Sequence, residues 1–391
     1  MVINNSKIES LHMLRGLAAF YVMVGHVRWL IAAPNVDFFS APVSLQNKIS
    51  IYLLSIFRFG HEAVLVFFLL SGFVIHLSIS KQIATGGTYK FNFKDYFFKR
   101  FIRIYPPFIL ALIITFSLDI IAQKLLLTTH SHTTPYPIIN SSFNFNFSLP
   151  DLGGNLLFAY PQYAIFWGSD GPLWSLKYEW WFYMLYPLFI AVNRWNAWVS
   201  LLLVFLIKVL VINLIYDYTL IKDILVFFDI WFMGAIMADI FTKRIKININ
   251  FLIPLILLLP FCLFKSAWIG FMPSEFWPYL GNLLFGLGII GLIAICIRFD
   301  SFLFKSVLSK ALIFLGDISF SLYIIHLPFL LFISGLLMKQ NSEGHLPNHF
   351  WFVLPSIAFC TFLGWLCYQI VERPVVDRNY RFYYKKLFNL K

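Results

Sequence analysis

The stretch Leu14-Arg15-Gly16-Leu17-Ala18-Ala19-Phe20-Tyr21-Val22-Met23-Val24-Gly25-His26 decides how the rest of the chain reads. It reads as a membrane-spanning helix, yet it has an arginine at its start and a histidine at its middle. An ionisable side chain in hydrocarbon costs roughly 2.5–3.5 kcal/mol or more, so it marks a functional site by default. Eleven positions at about 100° each come to about 1100°, roughly 20° past three turns, so Arg15 and His26 share one helix face. They stand about 16 Å apart along the axis, roughly half the thickness of the hydrocarbon core. A cation at the membrane edge and a base at the midplane can serve two ends of one long substrate. The ordinary alternative is a snorkelling arginine plus a histidine bonded to a neighbouring carbonyl.

Composition agrees with a membrane setting. Of 391 residues, 60% are hydrophobic and only 12% charged, against about 25% charged in globular domains. The aromatic content of 20% suits belts at the membrane interfaces. The formal charge of +12 does not indicate nucleic acid, because the basic residues sit between apolar runs as cytoplasmic loop markers do. Cys262, Cys296, Cys360 and Cys367 all lie in apolar runs without a Cys-x-x-Cys pair, so neither a zinc site nor a disulfide framework is expected. The first apolar run, carrying Arg15 and His26, has no convincing small-residue cleavage site and is not expected to be a signal peptide.

Apolar runs of about 20 residues recur throughout, which predicts an all-α, polytopic helical membrane protein of about ten transmembrane helices. The spans are 14–33, 62–80, 104–127, 172–192, 197–215, 224–242, 250–268, 279–297, 311–338 and 350–371. The segment 250–268 holds Pro254, Pro260 and Lys265, and 311–338 is long enough to bend at Pro328. With the N-terminus inside, 20 of the 30 basic residues fall on the cytoplasmic side. Both termini are therefore cytoplasmic. One transmembrane domain covers 1–391, with 376–391 a short basic tail. The longest outer loop, about 128–171, mixes aromatics with amides and hydroxyls, as a sugar-binding surface does and as an ordinary interfacial loop also does. The segment 45–59 reads as interfacial. No internal repeat is visible, which argues against inverted-repeat transporters.

Five constellations carry chemistry, beginning with Arg15 and His26. Arg100 and Arg103, in Lys99-Arg100-Phe101-Ile102-Arg103-Ile104-Tyr105-Pro106-Pro107, are neighbours on a helix turn at a cytoplasmic mouth, with the prolines fixing where the span begins. Two guanidiniums there suit phosphates, or lipid headgroups. Ser71 lies in Phe67-Phe68-Leu69-Leu70-Ser71-Gly72-Phe73 and is placed to line a cavity, while Gly72 suits close helix packing. Ser175, Glu179 and Tyr183 recur every four residues after Trp174 and form a polar stripe. An intramembrane Glu179 must be paired, protonated or facing water, and Lys177 is not on its face. Ser319, Tyr323 and His326 lie at i, i+4 and i+7, and a carbonyl freed by Pro328 is available to His326. His130-x-His132 has no evident third ligand, so no metal is expected. Glu372-Arg373-Pro374 is expected to end the last span.

Arg-x10-His, Phe-Phe-x-x-Ser-Gly-Phe, Arg-x-x-Arg-x-x-Pro, Trp-Ser-Leu-x-x-Glu-x-x-Phe-Tyr and Ser-x-Ser-Leu-Tyr-x-x-His occur here in that order. In this the chain resembles the bacterial acyltransferase family 3 membrane proteins over about 10–375, in their form without an additional C-terminal hydrolase-like domain. The resemblance implies an inner-membrane O-acetyltransferase that moves an acyl group, most often acetyl, from cytoplasmic acyl-CoA to a glycan or lipid-linked sugar such as O-antigen, capsule or exopolysaccharide. It implies His26, Arg15 and Glu179 as catalytic residues, and Arg100, Arg103 and Arg15 as the acyl-CoA-binding set. Ser71, Trp174, Ser175, Tyr183, Tyr323 and His326 then line the cavity. Acetyl-CoA is a co-substrate, and the partners are the glycan acceptor and membrane lipids. His26 acts as general base or becomes acylated itself. The competing class is a transporter or flippase using the buried His and Glu as a proton relay.

Overall fold

The computed structural model describes residues 8–32, 52–86, 91–145, 147–215, 219–263, 277–300, 307–340, 346 and 350–377. The expected basic tail beyond 377 and the interfacial residues 45–51 lie outside the described residues. All regular structure described is helical. In chain order it comprises α1 (Glu9–Leu30), a short 3-10 turn (Ile56–Arg58), α2 (Gly60–Ala84), α3 (Phe93–Lys124), α4 (Pro137–Ser142) and α5 (Leu149–Leu156). Then follow α6 (Leu173–Trp195), α7 (Ala197–Leu214), α8 (Leu220–Phe241), a 3-10 segment (Ile249–Leu257), α9 (Leu258–Leu263), α10 (Trp277–Arg298), α11 (Val307–Gln340) and α12 (Val353–Cys367). A π-helical turn (Tyr368–Glu372) leads into α13 (Arg373–Asp377).

The chain is a polytopic helical membrane protein. Seven described segments are long and apolar enough to cross a membrane: α2, α3, α7, α8, most of α10 and α11, and Val353–Val375. Helices α1 and α6 have 22 and 23 residues, enough to span roughly 33 Å, and their charged side chains make them less apolar. Three sequence readings need correction. Over its described part the span placed at 250–268 is not a regular α-helix: it is 3-10 over Ile249–Leu257, with Pro254 inside, and α-helical over Leu258–Leu263, while 264–268 lie outside the described residues. Pro106 and Pro107 do not begin a helix but sit inside α3, which starts at Phe93; they leave the Ile102 and Arg103 carbonyls without the usual amide donors. Glu372 does not end its helix, which passes through the π turn into α13.

The fold resolves into two compact units. One comprises 1–18, 61–97 and 178–316, the other 19–60, 98–177 and 317–391. The unit boundaries fall inside α1, α3, α6 and α11 and at the first residue of α2.

In the first unit α8 is the buried centre, with nearly every residue from Asp223 to Ile240 out of contact with solvent. A helix apolar on all sides can be covered on all sides. Phe182, Phe189, Phe228, Trp231 and Phe232 interlock around it. Helix α7 instead buries one stripe, Ser200, Val204 and Lys208, and exposes Leu202, Phe205, Leu206, Val209 and Leu210. Lys208 Nζ donates to Asp229 Oδ2 at 2.7 Å and to the Val226 carbonyl at 2.8 Å. That pairing is how a cation is kept inside a span. Gly72 and Gly234 let α2 and α8 touch backbone to backbone: a Cβ on Gly72 would lie 1.8 Å from the Trp231 carbonyl oxygen.

In the second unit the segment 125–171 is fastened to α3 through Asp119. That carboxylate accepts from Ser169 N at 2.9 Å and Ser169 Oγ at 2.7 Å, and pairs with His130 Nε2 at 3.0 Å. Trp29 stacks on Phe143, and Phe116 on Trp167, so much of the aromatic content of this segment is used in packing.

Candidate active site

Helix α1 is unbroken from Glu9 to Leu30, so the eleven-residue step from Arg15 to His26 is taken on one helix. In the second unit, His26 Nδ1 lies 2.7 Å from His326 Nε2. His326, fully buried, turns its Nδ1 to the Leu322 carbonyl at 3.0 Å. That carbonyl belongs to its own helix, four residues back; the Ile324 carbonyl, which Pro328 frees, is not the one used. Tyr323, one turn earlier on α11, exchanges a 2.8 Å hydrogen bond with Ser175 Oγ. Both hydroxyls also lie 3.2 Å from the Pro172 carbonyl. The structure thus joins His26 to His326, and Tyr323 to Ser175. Trp174, Arg100 and Arg103 also belong to this unit and are half-buried, with the two arginines one turn apart on α3.

The first unit collects the other predicted groups. Trp231 Nε1 donates to Ser71 Oγ at 3.3 Å, Ser71 Oγ lies 2.9 Å from Tyr183 Oη, and Tyr183 donates to Glu179 Oε1. Indole is a donor only, so this chain begins at Trp231 and ends at the Glu179 carboxyl, with Ser71 and Tyr183 between them. Ser71 also reaches Glu179 Oε1 at 3.4 Å. The predicted stripe is therefore divided: Glu179 and Tyr183 join Ser71, while Ser175 joins Tyr323. Arg15 Nη2 donates to the Gly316 carbonyl at 3.0 Å, at a crossing where a Cβ on Gly16 would meet Gly316 N at 2.3 Å.

Several buried polar groups were not read from sequence as site residues. In the first unit, fully buried His76 and Asp239 pair at 2.9 Å, and Ser80, Asn193 and Arg244 complete the shell of Asp239. In the second, Ser321 donates to buried Glu372 at 2.8 Å. Asp170 stands just before α6, 1% exposed, and neither carboxylate oxygen has a hydrogen-bond partner among the described residues. Burial pushes its carboxyl well above the usual carboxylate range, nearby Asp119 adds to this, and Thr115 opposes it. The Thr115 hydroxyl donates to Ala111 O at 2.8 Å, so it gives Asp170 little. The tyrosine hydroxyl of Tyr160 is likewise raised, mainly by burial and then by Asp170. His130 and His132 do not converge: the first is held by Asp119 and Thr129, the second meets Asn140 O at 2.7 Å. The described residues contain no cluster suited to a metal ion.

The whole described core matches one family model, an acyltransferase domain, over residues 8–369. The chain belongs to the acyltransferase 3 family. It is similar to a putative peptidoglycan O-acetyltransferase, YrhL, of Bacillus subtilis, with 23% identity over 360 residues, or 84% of this chain and 52% of the relative. It is also similar to the O-acetyltransferase OatA of Staphylococcus aureus, with 24% identity over 348 residues, or 82% and 53%. The chain spans about half the length of these curated relatives. No solved structure matches it.

Proposed function

We propose that this protein is a membrane O-acetyltransferase that moves an acetyl group from acyl-CoA to a hydroxyl of a cell-surface glycan or lipid-linked sugar, in the cytoplasmic membrane of a bacterium. The family and the names of its relatives support O-acetyl transfer. The observation that carries the chemistry is the His26–His326 contact on a membrane helix. A neutral imidazole pair with no carboxylate bonded to it among the described residues is suited to taking a proton and giving it back. Arg100 and Arg103, one turn apart on α3, supply two guanidiniums for the phosphates of CoA.

The decisive experiment compares surface glycans, by NMR and mass analysis, from cells with the intact gene, a deletion, and His26→Ala. Loss of one O-acetyl signal in both mutants, with His26→Ala expressed and inserted normally, is the expected result. An acetylated glycan in the His26→Ala strain removes the base assignment. For the arginines, the double change Arg100→Ala with Arg103→Ala should raise KM for acyl-CoA by roughly 10- to 100-fold, the effect of losing one or more charged hydrogen bonds. An unchanged KM would return both residues to binding lipid headgroups.

A further inference from the structure

The hydrogen bonds around His26 fix which of its two ring nitrogens reacts. The chain of contacts starts at a group whose role has no freedom: the Leu322 carbonyl oxygen accepts and never donates. His326 Nδ1, 3.0 Å away, must carry its hydrogen. A neutral imidazole has one N–H, so His326 Nε2 is bare and accepts. Its partner at 2.7 Å, His26 Nδ1, must then be the N–H of that ring. This leaves the lone pair of His26 on Nε2, for which no hydrogen bond exists among the described residues. His326 is fully buried and no described carboxylate is bonded to it. A cationic His326 would therefore be an unpaired buried charge, and the neutral assignment holds.

We propose that His326 is a positioning residue that locks His26 in its Nδ1–H tautomer and makes Nε2 the reacting nitrogen. This rests on the acyl-transfer reading given above and names the atom that performs it. The acceptor's O–H proton passes to His26 Nε2 as its oxygen bonds to the carbonyl carbon of an acyl thioester. The carbon–sulfur bond then breaks, and the proton leaves Nε2 for the departing thiolate, giving an ester and a thiol. Between those events the positive ring is held by the bond from Nδ1–H to His326. The second hydrogen of the pair ends on a peptide carbonyl, so the proton has no onward path and returns through Nε2. An acyl-histidine route would use the same lone pair.

The test reads the tautomer directly, by ¹⁵N NMR of histidine-labelled full-length protein in lipid bilayers, with His26 assigned by the signal lost in His26→Gln. The expected wild-type spectrum has a protonated Nδ1 and a bare Nε2 on His26. In His326→Leu, which has no acceptor, His26 should move to the Nε2–H form that free histidine favours. Its kcat should fall by about 100-fold or more, the scale of a lost general base, with KM for acyl-CoA unchanged. His326→Gln presents an amide oxygen to Nδ1–H and should restore both the tautomer and most of kcat. A wild-type His26 protonated on Nε2, or a His326→Leu variant with normal kcat, overturns the proposal. The NMR result does not depend on the reaction. An unaltered glycan in the deletion strain, with His26 still in its Nδ1–H form, would defeat the acetyl-transfer reading and leave the tautomer assignment standing.

Discussion

Glu179 is a carboxylate in a membrane helix, and its partners decide what replacing it will do. Tyr183, 2% exposed, donates to Glu179, and Ser71 and Trp231 belong to the same chain. Glu179→Gln keeps an acceptor for Tyr183 and removes the charge. It should therefore leave the melting temperature of the purified protein nearly unchanged while lowering acetyl transfer. Glu179→Leu removes the acceptor that ends this chain and should cost about 1–3 kcal/mol of stability. Equal melting of wild type and Glu179→Leu would show that this chain does not hold Tyr183. Ser71, Glu179 and Tyr183 were legible in the sequence because polar residues in an apolar run stand out, and a four-residue step puts Glu179 and Tyr183 on one face. Trp231 was not legible: an aromatic in an apolar helix has no visible partner until the fold brings Ser71 to it, 160 positions away. The same holds for His26 and His326. Each was visible alone as an ionisable group in a span, but their pairing across 300 positions was not.

Helices add a constraint that single residues do not reveal, namely how closely two axes can approach. Gly72 was read as a packing residue, and its contact with α8 bears this out. Gly234 meets it from the other side, where a Cβ would lie 2.0 Å from the Leu69 carbonyl oxygen. Gly72→Ala must push α2 away from the Trp231 backbone, an overpacking change expected to lower stability by about 1–3 kcal/mol. It should also alter the fluorescence of Trp231, whose indole N–H bonds the adjacent Ser71. Gly153→Ala in α5 is the control. Nothing stands within 4 Å of its added Cβ, so the change should be neutral or stabilising by about 0.5–1 kcal/mol. Equal melting of the two variants would refute the close-packing account. Element ends were less legible than element identities. Pro106 and Pro107 read as a helix start because proline favours the first turn, yet α3 begins thirteen residues before Pro106. In 250–268 the apolar run promised a span, but Pro254 lies in a 3-10 segment. Neither outcome is set by hydropathy, because both depend on what neighbouring helices supply to the backbone.

At the scale of the whole molecule, the apolar runs and the charge between them were enough to give a helical membrane protein, whereas the anchoring of its segment 125–171 was hidden. That anchoring rests on carboxylates at the ends of spans, where sequence offers only isolated Asp119, Asp151 and Asp170. The second unit places Asp170 near Asp119, and Asp119 binds both Ser169 and His130. Gly168 allows this turn, with φ +88°, and a Cβ there would lie 2.7 Å from Thr115 Cγ2. With its carboxyl pushed well above the usual range, Asp170 keeps a proton in the folded protein that the unfolded chain releases above about pH 3.9. The native state then binds more protons than the unfolded state, so stability is greatest below that pH. It falls as pH rises toward the folded value, by about 1.4 kcal/mol per pH unit while only the native form is protonated. Asp170→Asn cannot ionise and should remove this loss. Thermal unfolding of both proteins in bilayer discs between pH 4 and pH 8 should show the wild type losing stability relative to the variant as pH rises. Parallel curves would mean that Asp170 is ionised in the fold and that a cation outside the described residues balances it.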